Sequence, residues 1–265
     1  MPAAADSSDL KLALELADVA DAITVGRFRA TDLVVETKPD LTPVSEADRD
    51  VEQALRDQLA QVRPGDTVLG EEYGESGGAT GGRRWIVDPI DGTKGYVRGI
   101  PSWATLLALE EEGEMVVGVV SAPALGYRWW AARGQGAFAS DGLDASPRRL
   151  RVSGVRSLAD GQLSYGGFEE WRDTGRLERL LELASRCWRT RGYGDFWSYM
   201  LVAEGAIEIG LDPTVSLWDL AAPMVIVQEA GGTFTSFGGV ATADGGDAIA
   251  TNGLVHEAAR AILAG

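Results

Sequence analysis

An α/β (α+β) fold in two lobes is the architecture that the sequence predicts, and three observations point to it. Apolar residues recur at helical spacing near the N-terminus, short strands separated by turn residues crowd the middle, and strands alternate with helices beyond about residue 145. Of the 265 residues, 45% are hydrophobic, enough to bury a large core as one domain or as two smaller lobes.

Leu12, Leu16, Val19 and Ile23 share one face of a helix over residues 9–25, which Gly26 helps to end. A short apolar run, "LVV" at 33–35, precedes a second helix. Ser45 and Asp48 in "SEAD" resemble a capping box with Asp in place of Glu, opening that helix and carrying it to about Val62. Strands are then expected at "TVLG" (67–70), "RWIVD" (84–88), "ATLLALE" (104–110), "EMVVGVVSA" (114–122) and "YRWWAA" (127–132). Turn residues such as "EEGE" make antiparallel hairpins of them. The stretch "GESGGATGG" at 74–82 reads as a flexible loop. Turn formers in "ASDGLDASPRRL" place a lobe boundary near residue 145, dividing an N-terminal α+β lobe (1–145) from a C-terminal α/β lobe (146–265). The second lobe reads as "QLSY", a helix over 175–186, "CWRTRG", a helix over 195–205, "AIEIGL", a helix over 219–230, "GTFTSF", "AIATN", and a last helix from 255.

Charge and composition exclude several classes. With 24 Lys+Arg against 40 Asp+Glu, the net charge of -16 argues against nucleic acid or an anionic membrane as partner. The only cysteine, Cys187, permits no intramolecular disulfide and suits a reducing compartment, where it is expected as a core thiol. No basic leader or apolar span of roughly 18 residues is evident, so a cytoplasmic location is expected. His256 is the only histidine and lies apart from every candidate motif, which argues against Ser-His-Asp triads, phosphohistidine chemistry and His-rich zinc sites.

The informative stretch is "VDPIDGTKGY" at 87–96. Trp85, Ile86 and Val87 anchor a strand in the core, Asp88 ends it, and Pro89 disfavours helix at Asp88, so the chain turns. Asp88 and Asp91 are thereby aimed from a rigid corner. Two carboxylates about 4 Å apart repel by about 4 kcal/mol at an effective dielectric near 20, so a cluster of them calls for a cation. Oxygen donors without histidine or thiolate suit Mg²⁺, with Mn²⁺ or Ca²⁺ as alternatives. Gly92 allows close backbone approach, and a helix starting at Thr93 would aim free N–H groups at an anion. "VLGEE" places Glu71 and Glu72 directly after a strand, and "SLWDLAAP" places Asp219 at the start of an apolar helix. Each piece alone has a plainer reading: an Asx-type turn for the bend, an exposed acidic loop for Glu71 and Glu72, a helix cap for Asp219.

As an ordered set, "GEE" (70–72), "WIVDPIDGT" (85–93) and "WDLAAPMVIVQEAGG" (218–232) resemble the inositol monophosphatase family of Mg²⁺-dependent phosphatases. The resemblance implies a layered αβαβα sandwich of the inositol monophosphatase / fructose-1,6-bisphosphatase type and a homodimer. It further implies two or three Mg²⁺ ions, with Mn²⁺ able to substitute. Glu71, Asp88 and the Ile90 carbonyl would hold one ion, Asp88, Asp91 and Asp219 a second, and a third, weaker ion would sit near Glu71. Gly92 and Thr93 would bind phosphate through backbone N–H groups. Thr93 and Asp48 would orient a water that attacks directly, with Glu71 also in the catalytic set and no phosphoenzyme formed. Asp48 can at the same time close the capping box with Ser45.

Inside the family, "GYVRGIPSWATLLALE", "GVVSAPALGYRWWAARGQGAF" and "RTRGYGDFWSYMLVAEGAIEIGLDPTVSLWDLAAP" are most similar to the actinobacterial type of histidinol-phosphate phosphatase. The substrate implied is a small phosphate ester, L-histidinol phosphate, with inositol phosphatase, 3′-phosphoadenosine-type nucleotidase and fructose bisphosphatase activities as alternatives. Substrate contacts are expected from Lys94, Arg191, Asp195 and Asp212, with Tyr193 or Trp197 stacking on the ring. Asp195 also reads as a helix N-cap, Trp197 as core, and Lys94 as an outward ion pair. A haloacid-dehalogenase-type site is disfavoured because the spacing is D-x-x-D-G-T and not D-x-D-G-T, which leaves Ile90 where an acid/base would stand. No Walker motif occurs. The remaining alternative is an acidic binding protein on an inactive version of the fold.

Overall fold

The structure, a computed structural model, describes residues 7–39, 42–77, 82–142 and 146–264. Helix α1 (Ser7–Arg27) leads into an antiparallel pair, β1 (Val35–Thr37) and β2 (Pro43–Ser45), and then into α2 (Glu46–Val62). Next come β3 (Thr67–Gly70), β4 (Gly74–Gly77), β5 (Arg83–Asp91) and the single turn α3 (Thr93–Tyr96). A meander follows: β6 (Ala104–Glu111), β7 (Glu114–Ala122), β8 (Tyr127–Ala132), β9 (Gly136–Asp141) and β10 (Arg148–Arg149). These strands form one eight-stranded sheet in the order β10-β9-β8-β7-β6-β5-β3-β4, in which only the β3–β5 pairing is parallel.

The rest of the chain builds a second sheet. Its elements are β11 (Gln162–Tyr165), α4 (Phe168–Asp173), α5 (Leu177–Arg186), β12 (Arg189–Arg191), α6 (Asp195–Ala203), β13 (Ile209–Asp212), α7 (Leu217–Glu229), β14 (Thr233–Thr235), β15 (Ala248–Thr251) and α8 (His256–Ala264). The five strands lie in the order β12-β11-β13-β15-β14, with β11 parallel to both neighbours and β15 antiparallel to both of its own.

Alternation along the strands explains the layering. Trp85 and Val87 of β5 and Leu107 and Leu109 of β6 point toward α1 and α2, where they pack with Leu16, Val51 and Leu55. Ile86, Leu106 and Ala108 point the other way, onto α6 and α7, whose Phe196, Leu220 and Val225 also meet Phe234 and Ala250 of the second sheet. The far face of that sheet, Leu163, Ile209 and Leu211, is covered by Trp171, Leu180 and Ile262 of α4, α5 and α8. The sandwich is therefore αβαβα, as expected. Helix α7, apolar on nearly every side, is the shared middle layer, and it touches the first sheet so closely that a Cβ at Gly118 would lie 2.5 Å from the Ala222 carbonyl.

Three local expectations need correction. Asp88 does not end its strand, because β5 runs on through Pro89 to Asp91. Residues 74–77 of the expected loop form β4, paired with β3, while residues 78–81 lie outside the described residues. The turn-rich stretch from residue 139 takes in the end of β9 and all of β10, and its Ala139 is buried despite the polar composition. The boundary expected near residue 145 also falls outside the described residues.

Candidate active site

Residues three apart on a regular strand face opposite sides of the sheet, so Asp88 and Asp91 would not meet without a device. The device is a bulge. Asp88 pairs with Leu106 and Asp91 with Ala104, three steps on β5 against two on β6. The extra residue re-aims the chain, and the Thr105 hydroxyl secures the irregular segment by donating to the Pro89 carbonyl at 2.7 Å.

From across the molecule, α7 adds Asp219 in its first turn. One carboxylate oxygen of each of Asp88, Asp91 and Asp219 lies within 4.8 Å of the others. Asp219 is also a capping residue, since its Oδ2 accepts the Ser216 N–H at 2.7 Å. Asp91 Oδ2 accepts the Phe196 N–H of α6 at 2.6 Å. Asp88 is 2% exposed, and its Oδ1 is buried without a hydrogen-bond partner.

Burial pushes the Asp88 carboxyl well above the usual carboxylate range, and the charges of Glu71, Asp91 and Asp219 push it further. Burial does the same to Asp91, with Asp195 and Asp219 adding and the Phe196 N–H opposing. Burial likewise lifts Asp219 to about 7 against the Ser216 hydrogen bond, with Glu71 and Asp195 adding to the rise. Such a cluster is unfavourable unless protons or a cation occupy it. An orphaned buried carboxylate oxygen beside two further oxygen donors, with no imidazole or thiol among the three, fits a hard divalent ion such as Mg²⁺.

Most of the other expected residues ring the same cleft, which encloses about 540 Å³. Glu71, Ile90, Gly92, Thr93, Lys94, Asp195 and Asp212 all line it. Glu71 follows β3, and its carboxylate accepts the Lys38 ammonium at 2.7 Å, with Glu72 also paired to Lys38. Asp48 performs two tasks. Its Oδ2 accepts the Ser45 N–H at 2.8 Å and the Ser45 hydroxyl at 2.6 Å, completing the capping box, while Oδ1 lies 3.2 Å from Thr93 Oγ1. Burial raises the Asp48 pKa, opposed by the Ser45 hydrogen bonds. Thr93 Oγ1 is also 2.8 Å from the Ile90 carbonyl, so its single proton has two acceptors. Gly92 takes φ +87°, open to glycine alone at little cost, and a Cβ there would crowd the Ser102 carbonyl at 3.0 Å.

The opposite wall comes from the second half of the chain. Asp212, buried and lifted to about 7 chiefly by burial, accepts the Tyr199 hydroxyl at 2.6 Å. Asp195 is open to the cleft, yet its Oδ2 packs against Gly92, and lost hydration raises its pKa against the opposing charge of Lys94. It is the first residue of α6 at φ +48°, with Gly194 as the cap.

Arg191 is not brought into this cleft. It is exposed, and its guanidinium donates to the Thr190 carbonyl at 2.8 Å. Tyr193 and Trp197 face each other with ring centroids 5.6 Å apart, and the rings that line the cleft are Tyr165, Phe196, Tyr199 and Trp218. Two contributors escaped sequence reasoning. Glu170 lines the cleft, and burial raises its pKa against the charge of Lys94; Lys38 bridges Glu71 and Glu72. The only signal for Glu170 was an acidic pair opening a helix, which the helix dipole favours anyway.

The family comparison agrees with this geometry. Residues 6–264 match the inositol monophosphatase family. A histidinol-phosphatase of Mycobacterium tuberculosis is 59% identical over 250 residues, 94% of this chain and 95% of that protein. A histidinol-phosphatase of Streptomyces coelicolor is 54% identical over 253 residues, 94% of each chain. Among solved structures, the extragenic suppressor protein suhB from Bartonella henselae superposes with a TM-score of 0.88 at 31% identity, covering 97% of this chain and 98% of its own. With the bulged aspartates, the capping Asp219 and the αβαβα layers all in place, the chain belongs to the inositol monophosphatase family.

Proposed function

We propose that this protein hydrolyses L-histidinol phosphate to L-histidinol and inorganic phosphate as a Mg²⁺-dependent phosphomonoesterase. The observation that carries the chemistry is the convergence of Asp88, Asp91 and Asp219, with one buried oxygen left unpartnered. The substrate is supported by near-full-length similarity to two histidinol-phosphatases. It is supported also by the cleft wall, where Asp195, Asp212 and Glu170 suit an alcohol that carries cationic nitrogen.

Glu71, Asp88 and the Ile90 carbonyl would hold one ion, Asp88, Asp91 and Asp219 a second, and a third would sit near Glu71. Mg²⁺ bound there would supply neutralisation of phosphate charge, acidification of water and stabilisation of the leaving alkoxide. The side chains do the rest. Gly92 and Thr93 offer N–H groups at the start of α3, which lack intrahelical partners, to the phosphate oxygens. Asp48 and the Thr93 hydroxyl orient the attacking water, and Asp48, made more basic by burial, takes its proton through Thr93. Lys94, Asp195 and Asp212 contact the substrate; Arg191 stands outside the cleft. This reading keeps an N-terminal α+β lobe (1–145) that carries most of the metal ligands and a C-terminal α/β lobe (146–265) that carries substrate-binding residues and Asp219. Two or three ions, substitution by Mn²⁺ and a homodimer rest on the family resemblance, and a cytoplasmic location on the composition of the chain.

Turnover of histidinol phosphate, inositol monophosphate and adenosine 3′,5′-bisphosphate compared side by side is the test. Preference for histidinol phosphate, abolished by excess EDTA and restored by Mg²⁺, is expected. A clear preference for either other ester would overturn the substrate, and no phosphate release from any ester would favour an inactive fold.

A further inference from the structure

Glu52 is a fully buried carboxylate in the middle of α2, away from the cleft lining, and the site as described above gives it no role. Its partners are specific. Oε2 accepts the Glu72 N–H at 2.7 Å, and Oε1 accepts the Tyr73 N–H at 3.2 Å. Arg56, one helical turn on, neutralises it through Nε at 2.8 Å and Nη2 at 2.6 Å. The same guanidinium reaches the Val68 carbonyl at 3.3 Å and bonds the Gly74 carbonyl and the Ser76 hydroxyl. The ion pair thus grips both ends of the turn joining β3 to β4, and Glu71 is carried on that turn.

Two further facts show that the turn is shaped around this carboxylate. A Cβ at Gly70 would lie 2.1 Å from Glu52 Oε1, so the glycine makes room for it. On its other side the turn is tied to the aspartate-bearing strand, with the Glu71 N–H donating to the Val87 carbonyl at 3.2 Å. Asp48, Glu52 and Arg56 are spaced four apart, so they stack along one face of α2.

We infer that Glu52 is a positioning residue for Mg²⁺ binding. It sets the distance between Glu71, held through the turn, and Asp48, one helical turn earlier on the same rigid helix. Removing one partner of a buried ion pair leaves the other charge unpaired and is destabilising in its own right, so metal affinity is read separately from folding.

This inference rests on the proposed metal site, and the experiment separates the two. Mg²⁺ binding without substrate is measured by titration calorimetry on the wild type and on Glu52→Gln, Gly70→Ala and Val51→Ala. Thermal unfolding and the Mg²⁺ dependence of turnover are recorded alongside. Glu52→Gln is expected to weaken Mg²⁺ binding roughly tenfold or more, the usual effect of losing a group that orients a metal ligand, with turnover recovering at high Mg²⁺. Gly70→Ala, which leaves Glu52 present but takes its space, is expected to do the same and decides the matter if Glu52→Gln does not fold. Val51→Ala truncates a core residue of the same helix and is expected to lower the unfolding midpoint while keeping wild-type affinity. Wild-type affinity in the folded Glu52→Gln or Gly70→Ala protein, or an equal loss in Val51→Ala, would overturn the role of Glu52 alone. A wild type that binds no Mg²⁺ would overturn the metal site and this inference together.

Discussion

Asp91 performs two tasks with one side chain: Oδ2 takes the Phe196 N–H of α6, and the carboxylate belongs to the trio with Asp88 and Asp219. Asp91→Asn keeps a side-chain oxygen for Phe196 but removes the charge. Turnover should therefore fall by at least about a thousandfold, about 4 kcal/mol in barrier at 1.36 kcal/mol per tenfold, while circular dichroism and the unfolding midpoint stay near wild type. Near-normal turnover in that variant would remove Asp91 from the chemistry. At this scale the sequence was readable wherever a residue belonged to a local pattern. Asp88, Asp91 and Gly92 stand in one bend, Asp48 closes a capping box that announces itself as S-x-x-D, and Asp219, read as a helix cap, closes another in the structure. Lys38 was unreadable because its partners lie 33 and 34 residues away, beyond β2, α2 and β3, with no local spacing to announce them.

Elements place those residues by close docking. The middle layer depends on α7 lying against β7, where Gly118 leaves no space above its Cα. Gly118→Ala should push the helix off the sheet and destabilise the fold by roughly 1–3 kcal/mol, as overpacking does. Because Asp219 rides on the first turn of α7, Mg²⁺ affinity should drop with it. Calorimetric unfolding and Mg²⁺ titration check both halves, and a variant with unchanged affinity would show that α7 can shift without moving Asp219. Helix α2 was legible to its last residue, since its cap and its apolar face agree. The bulge in β5 was not. Pro89 announced an interruption, but a strand that resumes at Asp91 needs the partner Ala104 on β6, and pairing of that kind is not written in either strand alone. The same holds for the end of β9, whose buried Ala139 looks like turn composition until β8 lies beside it.

The whole molecule buries charge where its layers meet, and that makes its stability depend on pH in a definite sense. Asp212 and Asp219 are both lifted from 3.8 to about 7 in the folded state, chiefly by burial. A carboxylate with a raised folded pKa holds its proton more tightly when folded, so its contribution is complete below about 3.8 and is lost as pH rises through about 7. Burial lowers the pKa of His256, which lies between the Thr235 and Thr251 hydroxyls, and this acts in the opposite sense, losing stability as pH falls below 6.5. The informative quantity is therefore the difference between the wild type and Asp219→Asn, which share His256. In EDTA, raising the pH from 5.5 to 8 should lower the wild-type unfolding midpoint relative to that of Asp219→Asn by roughly 4 °C or more, given about 2–4 °C per kcal/mol for a chain of this size. Saturating Mg²⁺ should remove the difference in slope and stabilise the wild type more at pH 8 than at pH 5.5, because the ion and the protons compete for the same oxygens. Parallel pH profiles in EDTA would mean that folding does not hold the proton on Asp219, and stronger stabilisation by Mg²⁺ at the acid end would mean that these carboxylates do not share a cation.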